Sequence, residues 1–419
     1  MFKNDAKRAR PEGALLPSEA TKRNDPFASF LIIGISDSPE QELSKEALEA
    51  IARGKVFSGG KRHYELIKSR LPQGARWIDI TVPLSDVFKQ YKGHREIVVF
   101  ASGDPLFYGF AATLQREFPD ARIEVYPWFN SLQMLAHRML LPYQDMRAVS
   151  LTGRAWKDFE NALIRGEKLI GVLTDKTRTP RAIAAMMQEY GYDNYSITIG
   201  ECMGNPDHEK VTTMTVAQAM FYDAAQPNCL ILQQTESRGR LFGIPCERFD
   251  LLDGRVNMIT KMPIRLATLA ALELGRRRSF WDIGFCTGSV SIEARLQFPH
   301  LDITAFEKRP QGRDLLLANS RRFGAPGING VIADFMEIDP NLYPAPDAVF
   351  IGGHGGHMKE ILETINQVLI PGGTIVFNSV SDESAAAFRQ GIESIGRRVT
   401  GCTRIAVDEH NPILIMKAE

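Results

Sequence analysis

The chain has 419 residues, 44% of them apolar and 24% charged, which is a globular composition and predicts two or three domains. Fifty basic residues balance fifty acidic ones, with 31 basic and 29 acidic up to residue 240, so neither half carries the excess that counts for nucleic acid as a partner. No apolar stretch approaches the roughly 18 residues that span a bilayer, and the start has no apolar core of an export signal, so a soluble, cytoplasmic protein is expected.

Residues 1–28 are polar, charged and without periodicity, which predicts a poorly ordered tail. An apolar run at 30–35 (FLIIGI) reads as a strand, and 41–52 reads as a helix with Leu43, Ala47, Leu48 and Ile51 on one face. Strands follow at 97–101, 122–126, 168–174 and 228–233, separated by helix-like segments, the alternation of an α/β domain. The rhythm lapses over 236–254, rich in Gly, Pro and mixed charge, which reads as a linker. A second series has strands at 279–284, 301–307, 328–332, 347–351, 374–378 and 412–416. The two halves share no self-similarity, so two different α/β domains are expected over 29–235 and 255–419. Five cysteines at 202, 229, 246, 286 and 402 include no Cys-x-x-Cys pair, which predicts free thiols and no zinc site.

The segment 281–293 reads WDIGFCTGSVSIE: a strand carrying Asp282, a turn through Gly284 and Gly288, then a helix from about Ser289. Glycines suit a tight turn that a ligand approaches closely. Glu307 ends the next strand, where a carboxylate accepts from ribose hydroxyls, and Ala333 and Asp334 end the third. Cys286 stands where the dinucleotide fingerprint has its second glycine, so a nucleoside without phosphates fits better, and S-adenosylmethionine is the expected cofactor. The fourth strand is followed by Gly352, Gly353, His354, Gly355 and Gly356, room for a large flat substrate. Asn-Pro-Pro-Tyr, which serves nitrogen methylation, is absent there. His354 and His357 lack further ligand types nearby, and no metal is expected.

The run 260–265 (TKMPIR), the turn with GSVSIE, and PDAVFIGGHGG at 346–356 resemble the decarboxylating precorrin methyltransferase family of cobalamin biosynthesis, over nearly all of 255–419. The resemblance implies a Rossmann-like class I methyltransferase fold. Its cofactor site would hold Thr260, Gly284, Phe285, Cys286, Thr287, Gly288, Glu307, Ala333 and Asp334, with Gly352, Gly353 and His354 toward the substrate. In the other half, SGDPLFYG at 102–109 with the stretches 130–135, 150–154 and 173–180 resembles the tetrapyrrole methylase family, the class III methyltransferases, over about 30–235. That implies cofactor contacts from Ser102, Gly103, Asp104, Phe107, Asn130 and Ser131. The sequence departs from that family at 34–38, where Gly-Ile-Ser-Asp-Ser replaces Gly-x-Gly-Pro-Gly, and at Trp128 and Phe129 before Asn130.

Together the two resemblances imply methylation of carbons 5 and 15 of a reduced tetrapyrrole, with loss of the ring C acetate carboxyl, from precorrin-6B or its cobalt form to precorrin-8. A substrate with several carboxylates makes Arg154, Lys176, Arg178 and Arg265 candidate contacts. Both families commonly assemble, so a homo-oligomer is expected. Two alternatives stand beside this: an RNA or protein methyltransferase with an accessory N-terminal domain, and a carbon-15 methylating decarboxylase whose N-terminal half only binds tetrapyrrole.

Overall fold

A computed structural model describes residues 29–255, 258–407 and 412–419, so the expected tail at 1–28 lies outside the described residues. The chain forms two compact units. One runs to Ile35 and resumes over Pro39–Trp128; the other takes Ser36–Ser38 and Phe129–Glu419.

The first unit is built on five parallel strands, β1 (Ser29–Ile35), β2 (Val56–Gly59), β3 (Arg76–Asp79), β4 (Glu96–Ser102) and β5 (Arg122–Tyr126), in the order β3-β2-β4-β1-β5. The central β1 and β4 are apolar runs because helices cover both faces of a parallel sheet, burying successive side chains alternately above and below. The first helix is Lys45–Arg53, not 41–52: the Ser44 hydroxyl accepts from the Ala47 N–H at 3.2 Å and fixes the start. It buries Ala47, Ala50 and Ile51, while Leu48, expected on the same face, is exposed.

The second unit holds two sheets. Strands β6 (Arg147–Ser150), β7 (Leu169–Leu173), β8 (Tyr195–Glu201), β9 (Lys210–Thr215) and β10 (Asn228–Gln234) form a mixed sheet in the order β6-β7-β10-β8-β9. Strands β11 (Ser279–Ile283), β12 (Asp302–Glu307), β13 (Ile328–Ile332), β14 (Ala348–Ile351), β15 (Thr374–Ser379), β16 (Val399–Ile405) and β17 (Ile413–Ala418) form a seven-stranded sheet in the order β13-β12-β11-β14-β15-β17-β16. Its first five strands are parallel and β17 enters antiparallel to both neighbours. The strand order reverses at β11/β14, the topological switch where open α/β sheets bind ligands.

The segment 236–254, expected as a linker, is packed inside this unit. Ile244, Phe249 and Leu252 are buried, and Asn319 accepts from the Asp250 N–H at 2.8 Å and returns a bond from its own amide to the Asp250 carbonyl at 3.0 Å. Core residues on either side of the segment belong to one cluster, with Val149, Phe159 and Ile183 sharing it with Ile292, Leu296 and Phe323. Arg295 reaches Glu160 at 3.1 Å, Lys157 reaches Asp302 at 2.6 Å, and the Tyr192 hydroxyl donates to the Gly324 carbonyl at 2.7 Å. The unit boundary near residue 128 therefore falls inside the segment expected as the N-terminal domain. Among the described residues no helix is long and apolar enough to cross a membrane.

Candidate active site

The carboxyl ends of β11, β12 and β14 surround a cavity of about 490 Å³, within the range of small-molecule sites. Its walls follow from the turn after β11. Gly284 has φ +76°, and a side chain there would press on the Gly353 nitrogen at 3.1 Å, so the β11 and β14 loops touch backbone to backbone. Cys286 is also left-handed, at φ +51°, which turns its N–H onto the Glu307 carboxylate at 3.1 Å. Glu307 is 4% exposed, and its other oxygen takes the Arg309 N–H at 3.0 Å. The carboxylate is thereby fixed at the cavity wall before any ligand arrives.

Asp282 borders the same cavity and is 0% exposed. One oxygen accepts from the Ser291 hydroxyl at 2.6 Å; the other has no hydrogen-bond partner. Burial pushes this carboxyl up to about 7, against the pull of Ser291, and the neighbouring Glu307 charge adds to the rise. An orphaned buried oxygen beside a cavity is the kind of group that a ligand cation or donor satisfies.

Of the residues expected here, Thr260, Gly284, Phe285, Cys286, Glu307, Ala333, Asp334, Gly352, Gly353 and His354 line the cavity. Thr287 and Gly288 do not. Thr287 is buried, and the space beside Gly288 is taken by Leu316, whose methyl would lie 2.4 Å from an added Cβ. That glycine serves packing of the following helix, Ser289–Gln297. Arg309, Met336 and Asn378 also line the cavity and were not anticipated. Only Arg309, two residues past the acidic strand end, carried a sequence signal. A second cavity of about 590 Å³ adjoins the first across the glycine loop and is bounded by Phe377, Val380 and Ala387. His354 belongs to both and packs edge-on against Phe377. Burial, and secondly the charge of His357, lowers its pKa.

Arg265 is a correction. Expected to face substrate, it is 0% exposed: its Nε pairs with Glu293 at 2.7 Å, and its Nη atoms donate to the carbonyls of Thr260 and Ile244. It ties the 236–254 segment to the cavity wall, a structural duty. Arg178 pairs with Asp175 at 3.2 Å, while Lys176 and Arg154 are exposed. Backbone N–H groups of Arg178, Gly153 and Thr177 on Asp175 hold that carboxyl well below the usual range and bring the 150–154 and 173–180 stretches together. Asn130 caps the helix Ser131–Arg138 by accepting from Gln133 at 2.9 Å, and burial pushes the Cys229 thiol up, with Ser131 pulling the other way.

In the first unit, the turn after β4 is set by Asp104, whose carboxylate accepts from the Leu106 N–H at 2.9 Å, and by Gly109, where a Cβ would strike the Pro105 carbonyl at 2.3 Å. Phe107 packs edge-on against Tyr108. Gly103 approaches Gly34 so closely that a Cβ on Gly34 would lie 2.0 Å from the Gly103 carbonyl. The Ser102 hydroxyl meets Arg62 and His63 at 2.8 and 2.9 Å. Of the divergent 34–38 loop, Asp37 receives the Asn205 amide on its carbonyl at 3.2 Å, a contact within the second unit.

Comparison with known proteins locates both designs. Residues 29–220 match the family model for tetrapyrrole (corrin/porphyrin) methylases, and 253–418 match the precorrin methyltransferase domain. A precorrin-6Y C(5,15)-methyltransferase [decarboxylating] from Sinorhizobium sp is 32% identical over 359 residues, 85% of each chain. Two shorter relatives come from Salmonella typhimurium. A cobalt-precorrin-6B C(15)-methyltransferase (decarboxylating) is 34% identical over 37% of this chain and 79% of its own length. A cobalt-precorrin-7 C(5)-methyltransferase is 31% identical over 41% of this chain and 83% of its own. With that identity sustained across 85% of the Sinorhizobium enzyme and both family models met in order along the chain, this protein belongs to the family of decarboxylating precorrin-6Y C(5,15)-methyltransferases.

Proposed function

We propose that the protein uses S-adenosylmethionine to methylate carbons 5 and 15 of precorrin-6B, or of its cobalt form, and to decarboxylate the ring C acetate, giving precorrin-8 in cobalamin biosynthesis. Carbon 5 falls to the N-terminal methylase, carbon 15 and the decarboxylation to the C-terminal one. The observation that carries this reading is the pair of cavities sharing the glycine loop. One, with Glu307 and Asp282 on its wall, suits a cationic nucleoside; the other, floored by glycines and Phe377, suits a flat macrocycle.

Bound cofactor supplies a methyl group on a positively charged sulfonium, electrophilic without an added acid or base. Glu307 would accept from the ribose hydroxyls, and the unpartnered Asp282 oxygen would meet the cofactor's cationic end. The chain's task is then alignment and exclusion of water, which supplies much of the rate in transfers between held partners. In the decarboxylation the bond to the carboxyl breaks, its electron pair enters the macrocycle, and the carbon later takes a proton. No nucleophilic side chain is required.

The test is to incubate the full chain with S-adenosylmethionine and precorrin-6B and weigh the product. Two added methyl groups with loss of carbon dioxide is the expected result. One methyl group with that loss would reduce the N-terminal half to a binding module, and an unchanged mass would overturn the reading.

A further inference from the structure

The glycine loop after β14 brings one titratable side chain to the seam of the two cavities. Gly352, Gly353, His354 and Gly355, with Asn378 and Val380, border both, and of these only His354 can titrate. Its ring is held on two sides. Gly356, at φ +92°, donates its N–H to Nδ1 at 3.2 Å, and Phe377 packs edge-on with ring centroids 5.8 Å apart. A backbone N–H only donates, so Nδ1 keeps its lone pair and the neutral ring carries its proton on Nε2. Burial, and secondly the charge of His357, lowers the pKa, which keeps the ring neutral near pH 7. Nε2 has no hydrogen-bond partner among the described residues.

The second cavity is otherwise short of donors for an anion. No Lys or Arg is among its described lining residues. Asn378 bonds Thr268 at 2.9 Å, Ser381 and Ser384 bond each other at 3.2 Å, and the exposed Glu383 is itself an acid. We propose that the His354 Nε2–H holds the acetate carboxylate that is lost from ring C, orienting it with a neutral donor in place of a cation. This deepens the proposed function and rests on it for the identity of the substrate. In the reaction the bond from the acetate methylene to the carboxyl carbon breaks, and its electron pair passes into the macrocycle. Carbon dioxide leaves uncharged and the methylene carbon takes a proton from water. A guanidinium or ammonium on the carboxylate would stabilise a charge that must disappear, holding the ground state more firmly than the transition state. A neutral N–H fixes the carboxyl and gives up less as the charge leaves. His354 keeps its own proton throughout and is not the acid.

The experiment gives precorrin-6B and S-adenosylmethionine to the full chain carrying His354→Ala, His354→Gln, His354→Asn or His354→Arg. Release of carbon dioxide is timed and the products are weighed. Loss of a hydrogen bond to a charged group predicts release slowed about tenfold in His354→Ala, with accumulation of a product that has one methyl group and its carboxyl. His354→Gln, whose amide nitrogen reaches the place of Nε2, should keep release within about threefold of wild type, whereas the shorter His354→Asn should behave as the alanine variant. His354→Arg should bind substrate with no higher KM and still release carbon dioxide as slowly as His354→Ala. Affinity for S-adenosylhomocysteine by calorimetry should be unchanged in all four. Wild-type release in His354→Ala would overturn the proposal. Equal losses in His354→Ala and His354→Gln would overturn it too, by making the ring a structural part of the loop. Rapid release in His354→Arg would remove the need for a neutral donor, and weakened S-adenosylhomocysteine binding would give Nε2 to the cofactor; either result overturns the assignment. A wild-type chain that leaves precorrin-6B unchanged would instead count against the proposed reaction. Fluorescence quenching with uroporphyrin I, a polycarboxylate macrocycle that is not turned over, then decides the site. Binding weakened in His354→Ala and restored in His354→Gln supports a carboxylate at Nε2, and equal binding in all variants overturns it.

Discussion

Two carboxylates at one cavity wall behave differently because their partners differ. Glu307 accepts two backbone N–H groups, whereas Asp282 has a single hydroxyl and full burial. Glu307→Gln is expected to weaken S-adenosylhomocysteine binding at least several-fold by calorimetry, since hydrogen bonds to a charged group contribute about 1.5–3 kcal/mol. Part of that loss comes through the turn, because the new amide sets a donor against the N–H of Cys286 or Arg309. Asp282 has a folded pKa of about 7 against 3.8 for the free group. Between those values the folded state holds more protons than the unfolded one. Stability should therefore fall by up to about 1.4 kcal/mol per unit as pH rises through that window, and not further above it. Asp282→Asn should flatten the slope, read by urea denaturation across pH 4.5–8. A cationic ligand at the cavity favours the ionised form, so binding near pH 7 should release protons, visible as a calorimetric enthalpy that depends on the buffer.

At the scale of elements, the turn after β11 carries both strain and function. Gly284 tolerates φ +76° without strain, but Cys286 holds a left-handed backbone with a side chain. Cys286→Gly should stabilise the protein by about 0.5–1 kcal/mol while keeping the N–H on Glu307, and Gly284→Ala should destabilise it by about 1–2 kcal/mol through φ and the contact with Gly353. Melting temperatures of the two variants, moving in opposite directions, check the pair. Most clearly legible in the sequence are strands buried on both faces, such as β1, β4 and β14, whose apolar runs stand out, although the edge strands β5 and β13 are legible without such burial. β9 and β16 are edge strands of mixed burial, and β2 and β3 are only four residues each, so neither alternation nor a run marks them. β8 was missed for another reason: Thr198 is buried within it and hydrogen-bonds Thr213 at 2.9 Å, so a polar residue interrupts a core strand.

At the scale of the molecule, the second unit is joined by a buried ion pair. Burial pushes the Glu160 carboxyl up and the Arg295 guanidinium down, the sign that desolvation outweighs the attraction between them. Such a pair adds little net stability, yet breaking it strands a charge. Glu160→Ala should lower stability by about 3 kcal/mol, toward the small end for buried pairs, because Arg295 keeps the carbonyls of Pro299 and Pro326. Glu160→Gln, which leaves an acceptor, should lower it less than half as much. Equilibrium urea unfolding of the full chain reads both.

The sequence by itself determined the two α/β designs and the strand-end wall of the cavity around Glu307, because glycines and acids at strand ends are local signals tied to where each strand stops. Only the tertiary structure decided what a polar or charged residue does once the chain is folded. Arg265 reads as a cation for substrate until burial spends it on Glu293 and two carbonyls. The 236–254 segment reads as a linker until Ile244, Phe249 and Leu252 find a core. Arg62 and Ser102 are forty residues apart, and they meet because β2 pairs in parallel with β4, setting the carboxyl ends of the two strands side by side. Strand neighbours are chosen by the packing of the whole sheet, so no local pattern in either segment announces that meeting.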